Sequence, residues 1–135
     1  ALPETADAFN AAIRYVNAAT LPGDPVPIFP EGTAIDFFTD RRNPLREEIV
    51  TPGYLDAEGE SRAIARLEAS RTRLVLIENR PTTEFGAAVF GRDYCQRLMA
   101  WIEEHFEPVA TLGDAAPATP LGEYPPFFIR AYRRK

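Results

Sequence analysis

Four consecutive aliphatic side chains, Leu74-Val75-Leu76-Ile77, set between Arg73 and Glu78, constrain this chain more than any other feature. Side chains alternate from one face of a strand to the other, so an aliphatic run without alternation needs apolar cover on both faces. The run is far short of the roughly 20 apolar residues a membrane-spanning helix requires. Arg73 to Glu78 therefore predicts a strand buried on both faces of a sheet.

The flanking sequence supplies the cover. From about Thr5 to Ala19 the apolar positions Phe9, Ala12, Ile13 and Val16 recur at helical spacing, which predicts a helix packed on one side. Leu21-Pro22-Gly23-Asp24 stops it. Val26-Pro27-Ile28-Phe29 reads as a first strand, in which Pro27 removes one ladder donor. Gly32 to Phe38 suits a short helix, and Glu48-Ile49-Val50 a weak second strand. Asp56, followed by Glu58 and Glu60, opens a helix that runs to about Ser70. The segment from about Arg92 to Phe106 sets Tyr94, Leu98, Trp101, Ile102 and Phe106 on one stripe, the clearest amphipathic helix in the chain. Two strands, near Val109 to Leu112 and Phe127 to Tyr132, finish the fold around a loop from Gly113 to Pro126. Alternation of strand and helix, followed by a terminal strand pair, predicts an α/β fold. Specifically, it predicts a three-layer Rossmann-like sandwich of about five strands, mostly parallel with an antiparallel terminal pair. At 135 residues the chain suits a single soluble domain.

Function is less legible. The net charge of −5 argues against nucleic acid, because affinity for phosphate backbones needs clustered Lys and Arg. One basic cluster exists, Arg130, Arg133, Arg134 and Lys135, and it reads either as a solvated tail or as a contact for anionic lipid headgroups. Lys135 is the only Lys, so an internal catalytic or phosphate-binding Lys is excluded. Ser61 and Ser70 lie in no Gly-x-Ser-x-Gly elbow. Cys95 and His105 stand on one helix about 15 Å apart, too far for a nucleophile and its base. One His and one Cys are too few for zinc, Pro30-Glu31-Gly32-Thr33 lacks a dinucleotide fingerprint, and no cofactor is expected. The lone Cys95 leaves the redox compartment undecided.

What remains is a rim. Ligands of open α/β sheets bind at the carboxyl ends of the strands. Glu31 and Thr33 follow the first predicted strand, Glu78, Asn79 and Arg80 follow the buried one, and Asp36, Asp40, Arg41 and Arg42 lie between them in sequence. Paired Arg side chains there would grip a phosphate or carboxylate; a solvated rim with a few ion pairs and an Asp40 turn cap is the other reading. A third possibility is a partner-docking surface made by Tyr124, Phe127 and Phe128.

The order of several segments resembles the soluble C-terminal region of bacterial polytopic glycosyltransferases of the dolichyl-phosphate-mannose-protein mannosyltransferase type. The matching stretches are Ala18-Ala19-Thr20-Leu21-Pro22-Gly23-Asp24, Val26-Pro27-Ile28-Phe29-Pro30 and Phe37-Phe38-Thr39-Asp40-Arg41-Arg42-Asn43-Pro44. The buried Leu74 to Glu78 strand matches as well, as does the helix between Arg92-Asp93-Tyr94 and Phe106-Glu107-Pro108-Val109. The resemblance implies a noncatalytic, extracytoplasmic (periplasmic) accessory domain of an enzyme that transfers a sugar from a polyprenyl-phosphate carrier. It implies as partners the membrane-embedded part of a parent chain and a lipid-linked sugar or acceptor. No catalytic residue carries over, because the family's catalytic acids lie in loops near its early membrane helices.

Overall fold

The computed structural model describes residues 3–113 and 127–135. The elements in order are α1 (Pro3–Ala19), β1 (Ile28–Phe29), α2 (Thr33–Thr39), α3 (Ala57–Ala69), β2 (Leu74–Glu78), a 3-10 turn (Thr83–Phe85), α4 (Gln96–His105), β3 (Phe106–Gly113) and β4 (Phe128–Arg134). The protein is a mixed α/β fold whose sheet has four strands in the order β1-β2-β4-β3.

The aliphatic run does occupy the interior. Leu74, Val75 and Leu76 are buried, and successive side chains serve different faces. Leu74 and Leu76 join Ala12 and Val16 of α1, Ile35 of α2, and Ile129 and Ala131 of β4 in one core cluster. Val75 joins Ala63 and Leu67 of α3, Leu98, Trp101 and Ile102 of α4, and Tyr132 in the other. Phe29 belongs to this second cluster and stacks on Phe90 at 4.9 Å, while Tyr94 meets the same Phe90 edge-on at 5.7 Å. The alternation seen in β2 thus recurs in β4, which is why both strands can lie in the middle of the sheet.

Among the described residues the sheet has four strands with one parallel pair, in place of the expected Rossmann-like sheet of about five mostly parallel strands. β1 and β2 are parallel, but β2 pairs with β4 and β4 with β3 in antiparallel fashion. The strand directions explain the discrepancy. β1, β2 and β3 all point the same way, as a strand-helix alternation requires, but β4 enters between β2 and β3 and reverses both contacts. Proline placement decides who sits in the centre. Val26-Pro27-Ile28-Phe29-Pro30 surrounds β1 and Pro108 interrupts β3 beside an irregularity in register, and a strand that lacks amide donors belongs on an edge. β2 and β4 contain no proline, so they take the two inner positions. β3 and β4 form the expected antiparallel terminal pair.

The expected strand at Glu48-Ile49-Val50 is only a bridge: Ile49 opposes Glu31, and the Val50 amide donates to the Pro30 carbonyl at 2.7 Å. Pro30 has no amide to return a bond and Pro52 follows two residues later, so the ladder cannot extend. Helix signals fared better. Asp56 caps α3 by accepting from the Gly59 amide at 2.7 Å. The amphipathic stripe is buried from Tyr94 to Phe106, although α4 begins only at Gln96, after Cys95 takes a left-handed conformation at φ 53°.

Candidate functional site

The carboxyl ends of β1 and β2 bring three of the expected rim residues together. Glu31 and Arg80 form an ion pair at 3.1 Å with both side chains about half exposed. Beside them Glu78, at the end of β2, is 4 % exposed and its Oε1 has no partner. Burial pushes the Glu78 carboxyl up to about 8; the Arg80 guanidinium opposes this, the Glu31 charge adds to it, and a hydrogen bond from the Glu31 backbone amide opposes it again. A half-exposed ion pair contributes little to stability, about 0–1 kcal/mol, so the energetic singularity here is the buried acid.

The other rim residues go elsewhere. The Arg41 guanidinium is buried and donates to the Thr20 hydroxyl at 2.9 Å, to the Thr20 carbonyl at 2.8 Å and to the Thr39 carbonyl. It ties the end of α1 to the end of α2. Arg42 has an exposed side chain, and its backbone bridges to Pro25. Asp40 is exposed and ends α2 in a left-handed conformation, its amide returning to the Asp36 and Phe37 carbonyls. Asn79 pins β2 to β4: its Oδ1 accepts from the Phe128 amide at 2.8 Å and its own amide donates to the Phe128 carbonyl at 3.1 Å. Thr33 and Asp36 face a separate small cleft that also contains Phe37, Asn43 and Glu48. The single rim read from sequence is therefore dispersed: only Glu31, Glu78 and Arg80 come together, and Thr33 and Asp36 lie on a separate cleft.

A larger feature escaped the sequence reading. A cleft of about 910 Å³ opens at the other end of the sheet, between the end of α1, the α3–β2 turn and the end of β4. Among the described residues Arg71, Arg73, Arg133, Arg134 and Lys135 all line it, against one acid, Asp24. Strand register builds this cluster. Leu74 lies opposite Arg133 in the β2–β4 ladder, and the Arg134 amide donates to the Arg73 carbonyl at 2.9 Å. Of the five cations, Arg133 reaches Glu107 at 3.6 Å, while Arg71, Arg73 and Lys135 make no ion pair among the described residues. The Arg134 guanidinium lies over the rings of Phe106 and Trp101, at 5.5 and 5.9 Å. The basic end of the chain was visible in sequence; Arg71 and Arg73 could join it only once the pairing of β2 with β4 was known.

Among the described residues the candidate nucleophiles and bases are not paired. The Ser61 hydroxyl donates to the Ala57 carbonyl and the Ser70 hydroxyl to the Leu67 carbonyl, both at 3.1 Å. His105 Nδ1 lies 2.9 Å from the Trp101 carbonyl, and its ring stacks on that indole at 4.9 Å. Cys95 is buried, and desolvation, with Glu60 nearby, pushes its thiol up to about 12, so it is no thiolate nucleophile. Among the described residues no group of three His, Cys, Asp or Glu side chains is placed to hold a metal ion, and no helix is long and apolar enough to cross a membrane. Of the aromatics suggested for docking, Phe127 is half-buried against Phe9 at 5.5 Å, Phe128 is half-buried beneath Arg130, and Tyr124 lies outside the described residues. No family model, curated protein or solved structure matches the chain.

Proposed function

We propose that this chain is a noncatalytic accessory domain that binds a phosphate-bearing ligand in the basic cleft. The observation that carries this reading is the cleft itself: about 910 Å³, in a chain of net charge −5, with Arg71, Arg73 and Lys135 on its lining in no ion pair among the described residues, beside Arg133, which reaches Glu107, and Arg134, whose guanidinium lies on Phe106 and Trp101. Like charges drawn to one concavity of an acidic molecule repel one another, and an anion relieves that repulsion. Guanidinium groups also match phosphate oxygens in a bidentate way that a single ammonium cannot.

The resemblance to the C-terminal region of polyprenyl-phosphate-dependent glycosyltransferases gives the ligand an identity. On that reading the cleft contacts the phosphate of a lipid-linked sugar carrier, the domain lies on the extracytoplasmic (periplasmic) side of the membrane, and the chemistry belongs to a membrane-embedded part of the parent chain. A covering of helices on both faces of the sheet then serves as a scaffold that sets the cleft at one end.

Titration with pyrophosphate and with a short-chain polyprenyl phosphate tests the binding claim. Saturable binding that weakens with added salt, and that falls about tenfold or more in an Arg71→Glu, Arg133→Glu double variant, is expected. Absence of saturable binding by either ligand ends the phosphate reading. A preference for the polyprenyl phosphate supports the carrier assignment, and equal affinity for the two removes it.

A further inference from the structure

The small cleft near α2 has the opposite character. It encloses about 220 Å³ and is lined by Ile28, Asp36, Phe37, Asn43 and Glu48 among others. Asp36 is 7 % exposed, and among the described residues its side chain accepts no hydrogen bond and its buried Oδ1 has no partner. Such a carboxylate is unfavourable unless it meets a proton or a cation. Among the described residues no Arg, Lys or His lines the cleft, and the other ionisable group there, Glu48, is a second carboxylate. The Asn43 amide is already committed, its Nδ2 donating to the Glu47 carbonyl at 2.8 Å and its Oδ1 accepting from the Leu45 amide at 3.0 Å. Two acids therefore share a concavity that lacks a countercharge.

The apolar surroundings narrow the choice of cation. Phe37 is 79 % exposed, so its ring is available for a cation–π contact, and Ile28 offers an aliphatic wall. A bare alkali or alkaline-earth ion would want several more oxygen ligands than two carboxylates supply. The volume holds a handful of heavy atoms and falls short of the usual drug-sized pocket.

We propose that this cleft binds a small primary alkylammonium ion, with Asp36 and Glu48 receiving the ammonium, Phe37 flanking the charge and Ile28 contacting the alkyl stem. Burial pushes the Asp36 carboxyl up to about 7, so affinity for the cation is expected to rise from mildly acid to mildly alkaline pH.

The test is a titration of the intact chain with n-butylammonium at about pH 8, followed by amide chemical shifts, with n-butanol and equimolar sodium chloride as controls. Saturable shifts confined to the segments around Gly32 to Phe37 and Asn43 to Glu48 are expected, absent in both controls. Asp36→Asn should bind about tenfold more weakly with its remaining spectrum intact, and Phe37→Ala, which alters an exposed ring, should bind severalfold more weakly. No saturable shift, a response that sodium reproduces, or affinities unchanged in the two variants would overturn the assignment. Should Asp36→Asn not fold, Phe37→Ala decides alone.

Discussion

The Arg41 guanidinium makes three hydrogen bonds to Thr20 and Thr39, and removal of that side chain leaves buried acceptors without donors. Arg41→Ala is expected to lower unfolding free energy by about 2–4 kcal/mol, and the neighbouring Arg42→Ala by no more than about 0.5 kcal/mol. Thermal or urea unfolding of the two variants checks this. Glu78 and Asp36 act in the opposite sense. Each has a folded-state carboxyl raised above its unfolded value, from 4.5 to about 8 and from 3.8 to about 7. Between those limits the native state holds protons that the unfolded chain has lost, so the contribution of these two groups to stability is expected to fall as pH rises from about 4 to 8. Glu78→Gln should flatten that decline by on the order of 3 kcal/mol; an unchanged slope in urea melts across the range would show that Glu78 is ionised in the fold at neutral pH. Neither residue's behaviour was legible beforehand. Adjacent arginines look alike in sequence, and burial of an acid depends on which neighbours the fold brings.

At the scale of elements, most of what formed was legible, because helical periodicity and capping are local. α1, α3 and α4 appeared where Phe9, Ala12 and Val16, the Asp56 cap, and Leu98, Trp101 and Ile102 placed them. Strand order was not legible. The direction of β1, β2 and β3 follows from the helices between them, whereas insertion of β4 between β2 and β3 is a long-range event that no local pattern reports. The prolines around β1 and in β3 carried the missing information, since they disqualify both strands from the centre. A close contact marks the junction of β1 and α2. A Cβ built on Gly32 would lie 2.1 Å from the Ile28 Cβ, and neither atom belongs to the far end of a flexible side chain. Gly32→Ala is therefore expected to cost about 3 kcal/mol or more through displacement of β1 or α2, read as a lowered urea midpoint. Retention of the wild-type midpoint would mean that β1 and α2 can move apart freely.

Across the whole molecule the charges are segregated. Acids predominate overall, yet the end of the sheet formed by the α3–β2 turn and the close of β4 gathers Arg71, Arg73, Arg133, Arg134 and Lys135 around one concavity. Three of those five, Arg133, Arg134 and Lys135, were legible as a basic terminus. The other two were hidden because Arg71 and Arg73 are isolated in sequence and meet the terminus only through the register that sets Leu74 against Arg133. The rim expected at the carboxyl ends of the strands dispersed for the complementary reason: Arg41 and Asn79 were needed to fasten α1, α2 and β4. The most direct test of a phosphate-binding role is isothermal titration with pyrophosphate at low and physiological salt, on the wild type and on the Arg71→Glu, Arg133→Glu variant. Saturable binding that weakens with salt and is lost in the variant is the predicted result. No binding, or binding that the charge reversal leaves intact, would contradict it.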